Sequence, residues 1–230
     1  MLSKLFEHDF FNTGMFRPFV GDNETLFLII CGIVLTIVPY LLGSINFAII
    51  ISGKTFHDDV RSHGSGNAGM TNMLRTYGKK AAALTLLGDA MKAILAAIVG
   101  YYMMGMYGAY IAGFFCVLGH TFPVFFNFKG GKGVVTAAAS MLMCNPIVFI
   151  IILALFVLIV AIWRFISLGS IMCAMLYPVI LSGVDIVLLG HPSGLYVIFV
   201  FLTSALIVIK HKDNIKRLLE GKENKFSLKK

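Results

Sequence analysis

VVTAAASMLMCNPIVFIIILALFVLIVAIWR, residues 134–164, carries no charged side chain before its last position, Arg164. A run this long and this apolar reads as helix set in a bilayer, where each crossing needs about 20 apolar residues. It does not read as one crossing. Cys144-Asn145-Pro146 interrupts it, because proline has no N–H to give and its ring clashes with the preceding turn. The stretch 134–143 is then too short to cross alone and reads as a half-span or a re-entrant helix, while 147–163 is long enough for a span. If the two pieces go in and come back as a pair, Arg164 returns to the face that holds Lys129 and Lys132; a single crossing would strand it on the other side.

Working outward, further apolar runs occupy 26–52, 81–104, 106–127, 166–182 and 195–209. The whole chain of 230 residues is 58% hydrophobic and 13% charged, against about a quarter charged in soluble domains. The fold class expected is an all-α integral membrane protein, a polytopic helical bundle of five to seven transmembrane helices. Residues 1–25 form a polar and aromatic N-terminal extension, 26–210 the membrane-embedded domain with loops 53–80, 129–133 and 164–165, and 211–230 a basic tail. Glu7, Asp9, Asp22 and Glu24 precede the first long apolar run, which argues against a cleavable signal peptide. Cys31, Cys116, Cys144 and Cys173 stand far apart in apolar surroundings and read as packing residues.

Lys and Arg fall on one side. Loop 53–80 holds Lys54, Arg61, Arg75, Lys79 and Lys80, the next holds Lys129 and Lys132, and Arg164 and the tail add the rest. The opposite turns carry only Gly105 to Gly108, and Asp185 with His191. By the positive-inside rule the basic loops and the C-terminus are cytoplasmic and the N-terminus is outside. The net charge of +8 flanks apolar spans and forms no separate basic module, so it points to membrane lipid or an anionic substrate and not to nucleic acid.

The first basic loop reads Arg61-Ser62-His63-Gly64-Ser65-Gly66-Asn67-Ala68-Gly69-Met70-Thr71-Asn72-Met73-Leu74-Arg75. Glycines allow the positive φ angles that bring several backbone N–H groups onto one anion. The helix expected from Thr71 onward would aim its N-terminus at the same anion and put Arg75 one turn later. The competing reading is a flexible connector, which leaves Asn67, Asn72 and Arg75 without a purpose.

The second element is Lys129-Gly130-Gly131-Lys132-Gly133, after a span whose last residues run from His120 to Phe126. Two lysines among glycines can donate charge-assisted hydrogen bonds to phosphate oxygens, or they can simply anchor the span end at the lipid headgroups. No Walker pattern is present, so nucleotide hydrolysis is not implied. His120 reads as a capping or loop-orienting histidine. In the third element, His211 and Asn214 lie three apart and share a helix face, extended by Arg217. Asp89 and Lys92, at i and i+3 inside a span, read as a buried structural pair, although intramembrane charges are suspects for function. No histidine or carboxylate spacing suits a metal, and no cofactor is implied.

Together these motifs resemble the bacterial PlsY-type acyl phosphate:glycerol-3-phosphate acyltransferases. The likeness runs from about Leu41 to Phe226. It rests on Leu42-Gly43-Ser44-Ile45, Gly64-Ser65-Gly66-Asn67 with Thr71-Asn72 and Arg75, Gly119-His120 through Gly133, Ser167-Leu168 with Ser170, and His211 with Asn214 and Glu220-Gly221-Lys222-Glu223. The resemblance implies transfer of a fatty acyl group from acyl phosphate to the 1-hydroxyl of glycerol 3-phosphate. The products are 1-acyl-glycerol 3-phosphate, a lysophosphatidic acid, and phosphate, made at the cytoplasmic face of the bacterial cytoplasmic membrane for phospholipid synthesis, with a functional link to the enzyme that supplies acyl phosphate.

Carried over by motif, Ser65, Arg75, Lys132, His211 and Asn214 are catalytic; Gly64, Gly66, Asn67, Gly69, Thr71, Asn72, Gly130, Gly131, Gly133 and Ser170 bind substrate or phosphate; and Glu223 is structural, closing the tail. The chain departs from the family at Asn46-Phe47-Ala48, where Pro-Phe-Gly is usual, and at Met70, where the residue is usually small. An acyl phosphate is already activated, so direct attack by the glycerol hydroxyl, with its proton accepted by a phosphate oxygen, needs no covalent enzyme intermediate. No aspartate stands five residues after any histidine, which disfavours the HxxxxD chemistry of acyl-CoA-type enzymes. A transporter of an organic phosphate and an inactive paralogue are the competing readings.

Overall fold

A computed structural model describes residues 24–226, all helix, turn and loop with no strand among them. The N-terminal extension up to residue 23, and Lys229 and Lys230, lie outside the described residues. The chain divides into two compact units between Cys144 and Asn145.

The N-terminal unit opens with α1 (Glu24–Ser44) and α2 (Phe47–Phe56). The single run expected over 26–52 is therefore broken. Asn46 is the reason: its Oδ1 accepts from the Ile49 N–H at 3.1 Å and caps α2, while its Nδ2 donates to the Ala68 carbonyl at 3.3 Å. A capping amide of this kind starts a helix, so Asn46 opens α2 inside the apolar run. After the loop come the short α3 (Met70–Tyr77) and the long α4 (Lys79–Thr121).

At 43 residues α4 would be about 65 Å long if straight, twice the hydrocarbon thickness. It is not straight. Met104 (φ −140°, ψ 30°) and Gly105 (φ 59°, ψ −146°) leave the helical region, and a Cβ on Gly100 would overlap the Gly108 carbonyl, and the reverse. Residues eight apart on a straight helix are separated by about 12 Å, so the chain has doubled back and α4 is two antiparallel limbs. α5 (Val134–Cys144) packs on the second limb, where Ser140 Cβ would sit 3.1 Å from a Cβ on Gly113. At 11 residues α5 spans about 16 Å, half a bilayer core, as its sequence suggests.

Without water to drive apolar surfaces together, helices in lipid associate through close backbone packing. Gly43 leaves room for the Cys116 carbonyl and Gly119 for that of Tyr40, which seats α1 against the second limb of α4. Phe27, Cys31 and Leu35 of α1 meet Met103, Met104 and Ala112 around the α4 reversal.

The C-terminal unit contains α6 (Pro146–Trp163), α7 (Ile166–Leu189), α8 (Val197–Lys210) and α9 (Lys212–Leu219). Asn145 caps α6, its Oδ1 accepting from Val148 N at 3.1 Å, with Pro146 in the first turn, where its missing N–H costs nothing. Arg164, left-handed at φ 64°, ends α6. Gly169 then lets α7 approach Phe156 and Val160, both 3.0 Å from where its Cβ would be. α7 runs on to Leu189, past the expected end at 182, and Asp185 accepts from Ser193 Oγ and Tyr196 OH, both at 2.6 Å, to close the turn before α8. Among the described residues, four helical stretches, Ile29–Phe56, Lys79–Phe126, Pro146–Trp163 and Ile166–Leu189, are long and apolar enough to cross a membrane.

Candidate active site

In the N-terminal unit the glycine-rich loop is built around two side chains. Asn72, 1% exposed, accepts from Ser65 N at 3.0 Å and donates to the Val60 and His63 carbonyls at 2.9 and 3.0 Å. Its amide shapes the loop from beneath and is fully engaged with backbone. Gly64 (φ 56°) and Gly66 (φ 69°) are left-handed, and a Cβ on Gly64 would overlap Asn72 Oδ1. Ser65 is left exposed on the loop surface.

Arg61 does the second part. Its guanidinium grips Asp59 at 2.7 to 3.0 Å and reaches across to the carbonyls of Phe126 and Lys129 at 3.1 and 3.2 Å. Under the loop a small apolar core of Ala48, Ile49, Val60, Ala68, Met73, Ala81 and Ala82 anchors α3, and Met70 packs against it. Gly69 starts α3 with no side-chain cap, so the first N–H groups of that helix receive no acceptor from a cap, and Thr71 and half-buried Asn67 flank it. Arg75, a turn later, is exposed.

Beside the loop, Asp58 takes hydrogen bonds from Tyr77 OH at 2.8 Å and from Asp59 N at 2.7 Å and pairs with His63 Nε2 at 2.6 Å. The Tyr77 bond, then that from Asp59, holds the Asp58 carboxyl below its usual range. Burial, then Asp58, pushes the Tyr77 hydroxyl up to about 12. His63 is committed to Asp58, on the exposed side of the loop.

The second loop reverses through Asn127 and Phe128, both left-handed at φ 56° and 57°. Its glycines are each fixed by a different neighbour. A Cβ on Gly130 would overlap the His120 carbonyl, one on Gly131 would overlap His120 Nε2 and come within 2.6 Å of the Ala68 carbonyl, and Gly133 is left-handed at φ 79°. Gly131 N donates to the His120 carbonyl at 3.1 Å. The two glycine loops therefore touch at Ala68 and Gly131. Lys132 is half-buried and Lys129 exposed on the same turn.

Sequence alone pairs Asp89 with Lys92, and the structure adds His120. Lys92 Nζ lies 2.8 Å from Asp89 Oδ1 and 3.0 Å from His120 Nδ1, and donates to the Gly43 and Ile45 carbonyls at 3.0 and 2.8 Å. Those carbonyls belong to the break between α1 and α2, where the helical ladder supplies no N–H.

In the C-terminal unit Ser170 is buried and donates to the Ile166 carbonyl of its own helix at 3.0 Å. His211, 3% exposed, bonds the Ile207 carbonyl through Nδ1 at 2.7 Å, and Asn214 Nδ2 donates to Glu223 Oε1 at 2.7 Å. Glu223 also accepts from Ser167 Oγ at 2.8 Å and Arg217 Nε at 2.7 Å, and Phe226 N reaches the Arg164 carbonyl. Burial works to raise the Glu223 carboxyl, but the bonds from Arg217, Asn214 and Ser167 outweigh it and hold it low. Among the described residues no group of three His, Cys, Asp or Glu could hold a metal.

The family model for glycerol-3-phosphate acyltransferase matches residues 33–221. A glycerol-3-phosphate acyltransferase of Clostridioides difficile (strain 630) is 38% identical over 204 residues, 86% of this chain and 97% of that protein. One from Trichlorobacter lovleyi is 44% identical over 192 residues, 81% of this chain and 93% of its own. A crystal structure of PlsY, an integral membrane glycerol 3-phosphate acyltransferase in its glycerol 3-phosphate form, superposes with a TM-score of 0.76 at 35% identity, covering 85% of this chain and 95% of that one. Its lysophosphatidic acid form gives 0.73 at 33% identity over the same shares. With the family model covering most of the chain and relatives this similar nearly end to end, the chain belongs to the glycerol-3-phosphate acyltransferase family.

Proposed function

We propose that this membrane enzyme takes its acyl group from a soluble acyl phosphate and passes it to the 1-hydroxyl of glycerol 3-phosphate at the cytoplasmic face of the bacterial cytoplasmic membrane. Acyl transfer to glycerol 3-phosphate is the activity of its family. The observation that carries the finer reading is the contact of the two glycine loops, Ala68 against Gly131, which gathers backbone N–H groups with exposed Arg75 and half-buried Lys132 in one unit. Two phosphate-bearing substrates repel each other, and fixed positive groups of this kind offset that repulsion.

In the reaction, the glycerol hydroxyl oxygen attacks the acyl carbonyl carbon and the carbon–oxygen bond to phosphate breaks. Inorganic phosphate leaves, and the hydroxyl proton passes to one of its oxygens. Positioning and charge stabilisation supply the acceleration, and no acyl-enzyme forms. On this reading Gly64, Gly66, Asn67, Gly69 and Thr71, with Gly130, Gly131 and Gly133, present backbone or side-chain donors to phosphate, and Asn72 holds the first loop in shape. Arg75 and Lys132 carry charge and Ser65 donates from the loop, while Ser170, His211 and Asn214 keep the catalytic and phosphate-binding roles that their motifs imply and Glu223 holds the tail.

Phosphate release from palmitoyl phosphate, measured with and without glycerol 3-phosphate, tests the reading. Release that requires glycerol 3-phosphate and is lost in Arg75→Ala and Lys132→Ala supports it. Folded protein that transfers only from acyl-CoA, or releases nothing, would reject acyl phosphate as donor.

A further inference from the structure

Beneath the two loops lies a buried charged cluster that the transfer itself does not use. Asp89 and Lys92 are 1% and 3% exposed and His120 is 4% exposed. A buried ion pair is a weak source of stability, since apolar residues of similar volume often serve as well. What the cluster touches is more telling. Lys92 ties the Gly43 and Ile45 carbonyls at the α1–α2 break and reaches His120 Nδ1. His120 Nδ1 also lies 3.5 Å from Asp89 Oδ1, so both members of the ion pair fix the orientation of the ring.

Nε2 is the atom set against Gly131, and the His120 main-chain carbonyl both receives the Gly131 N–H and underlies Gly130. The same break presents Asn46, whose amide holds the Ala68 carbonyl, the other group that a Cβ on Gly131 would meet. One cluster thus sets the floor of the glycine-lysine loop from below and, through Asn46, fixes the loop that adjoins it.

We propose that Asp89, Lys92 and His120 are positioning residues, a buried relay from the α1–α2 break to the Gly130–Gly131 backbone that sets how tightly this loop holds a phosphate-bearing ligand. The proposal rests on the reading of that loop as a phosphate cradle. His120 touches no substrate in this scheme; it acts through Gly131.

The test compares full-length wild type with His120→Asn, which keeps an acceptor for Lys92 but is too short to reach Gly131, His120→Gln, whose amide reaches it, and Asp89→Asn. Two readouts are taken: KM and kcat for glycerol 3-phosphate and palmitoyl phosphate, and the rise in Tm produced by inorganic phosphate. His120→Asn and Asp89→Asn are expected to raise KM for at least one substrate by about tenfold, with kcat moved less, and to shrink the phosphate-induced rise. His120→Gln is expected to recover most of both. Unchanged KM, equal behaviour of Asn and Gln at position 120, or a fall in basal Tm alone would overturn the relay. Should wild type show no transfer, the transferase reading fails, and the phosphate-induced rise in the variants decides the relay by itself.

Discussion

Arg61 Nη1 donates to the Lys129 carbonyl, 68 residues further along the chain, and to that of Phe126. A side chain from the first glycine loop thereby fixes the backbone on which the second one turns, while Asp59 holds the guanidinium in place.

Removing that bracket should loosen both loops. Arg61→Ala is expected to lower stability by about 1 kcal/mol, the usual net worth of such bonds, and to raise KM more than it lowers kcat. Arg61→Lys should recover little, because lysine lacks the planar fork whose Nε and Nη2 hold Asp59 while Nη1 reaches the other loop. Thermal unfolding and steady-state kinetics of the two variants check this.

Asn46, at the α1–α2 break, makes a prediction about stability. Asn46→Ala removes the α2 cap and the bond to Ala68, and a loss of about 1–2 kcal/mol is expected. Denaturation of the purified protein measures it, and a variant as stable as wild type would mean that the break holds itself.

Glycines separate cleanly into those with neighbours and those without. Gly131→Ala drives a methyl group into His120 and the Ala68 carbonyl and should abolish transfer, whereas Gly183→Ala in α7 meets nothing within 4 Å and should leave activity unchanged. Parallel assays of the two decide.

Glu223 sets a pH dependence. Its folded-state pKa is depressed below the ordinary 4.5, so the stability it contributes is present above 4.5 and is lost as pH falls through the folded value. Tail closure should weaken below about pH 4.5 in wild type and lose this dependence in Glu223→Gln. Proteolytic cleavage of the tail against pH reads this directly.

Hydropathy exposed the spans because lipid demands long apolar helices, and Cys144-Asn145-Pro146 announced the end of α5 through proline. The break at Asn46 hid inside an apolar run, since a single polar residue does not interrupt a hydropathy window. The glycine motifs were legible as two tight loops at helix ends, but their contact through Ala68 was not: 63 residues separate it from Gly131, and the contact is backbone to backbone. Arg61 reads in the sequence only as one of the basic loop residues, because its cross-loop acceptors are carbonyls, which every residue has. Asp89 and Lys92 stood out as charges in a span, whereas His120, 28 residues beyond Lys92, joined them only once the chain had folded back.

The reversal at Met104 and Gly105 settles a question of parity. Two limbs joined by a tight bend bring the chain back to the side it left, so the loop before Lys79 and the loop after Thr121 face the same compartment whichever way the protein is threaded into the bilayer. The count of crossings assembles the two loops, and the lysines and arginines around them are left a single choice: which side of the membrane the assembled pair will serve.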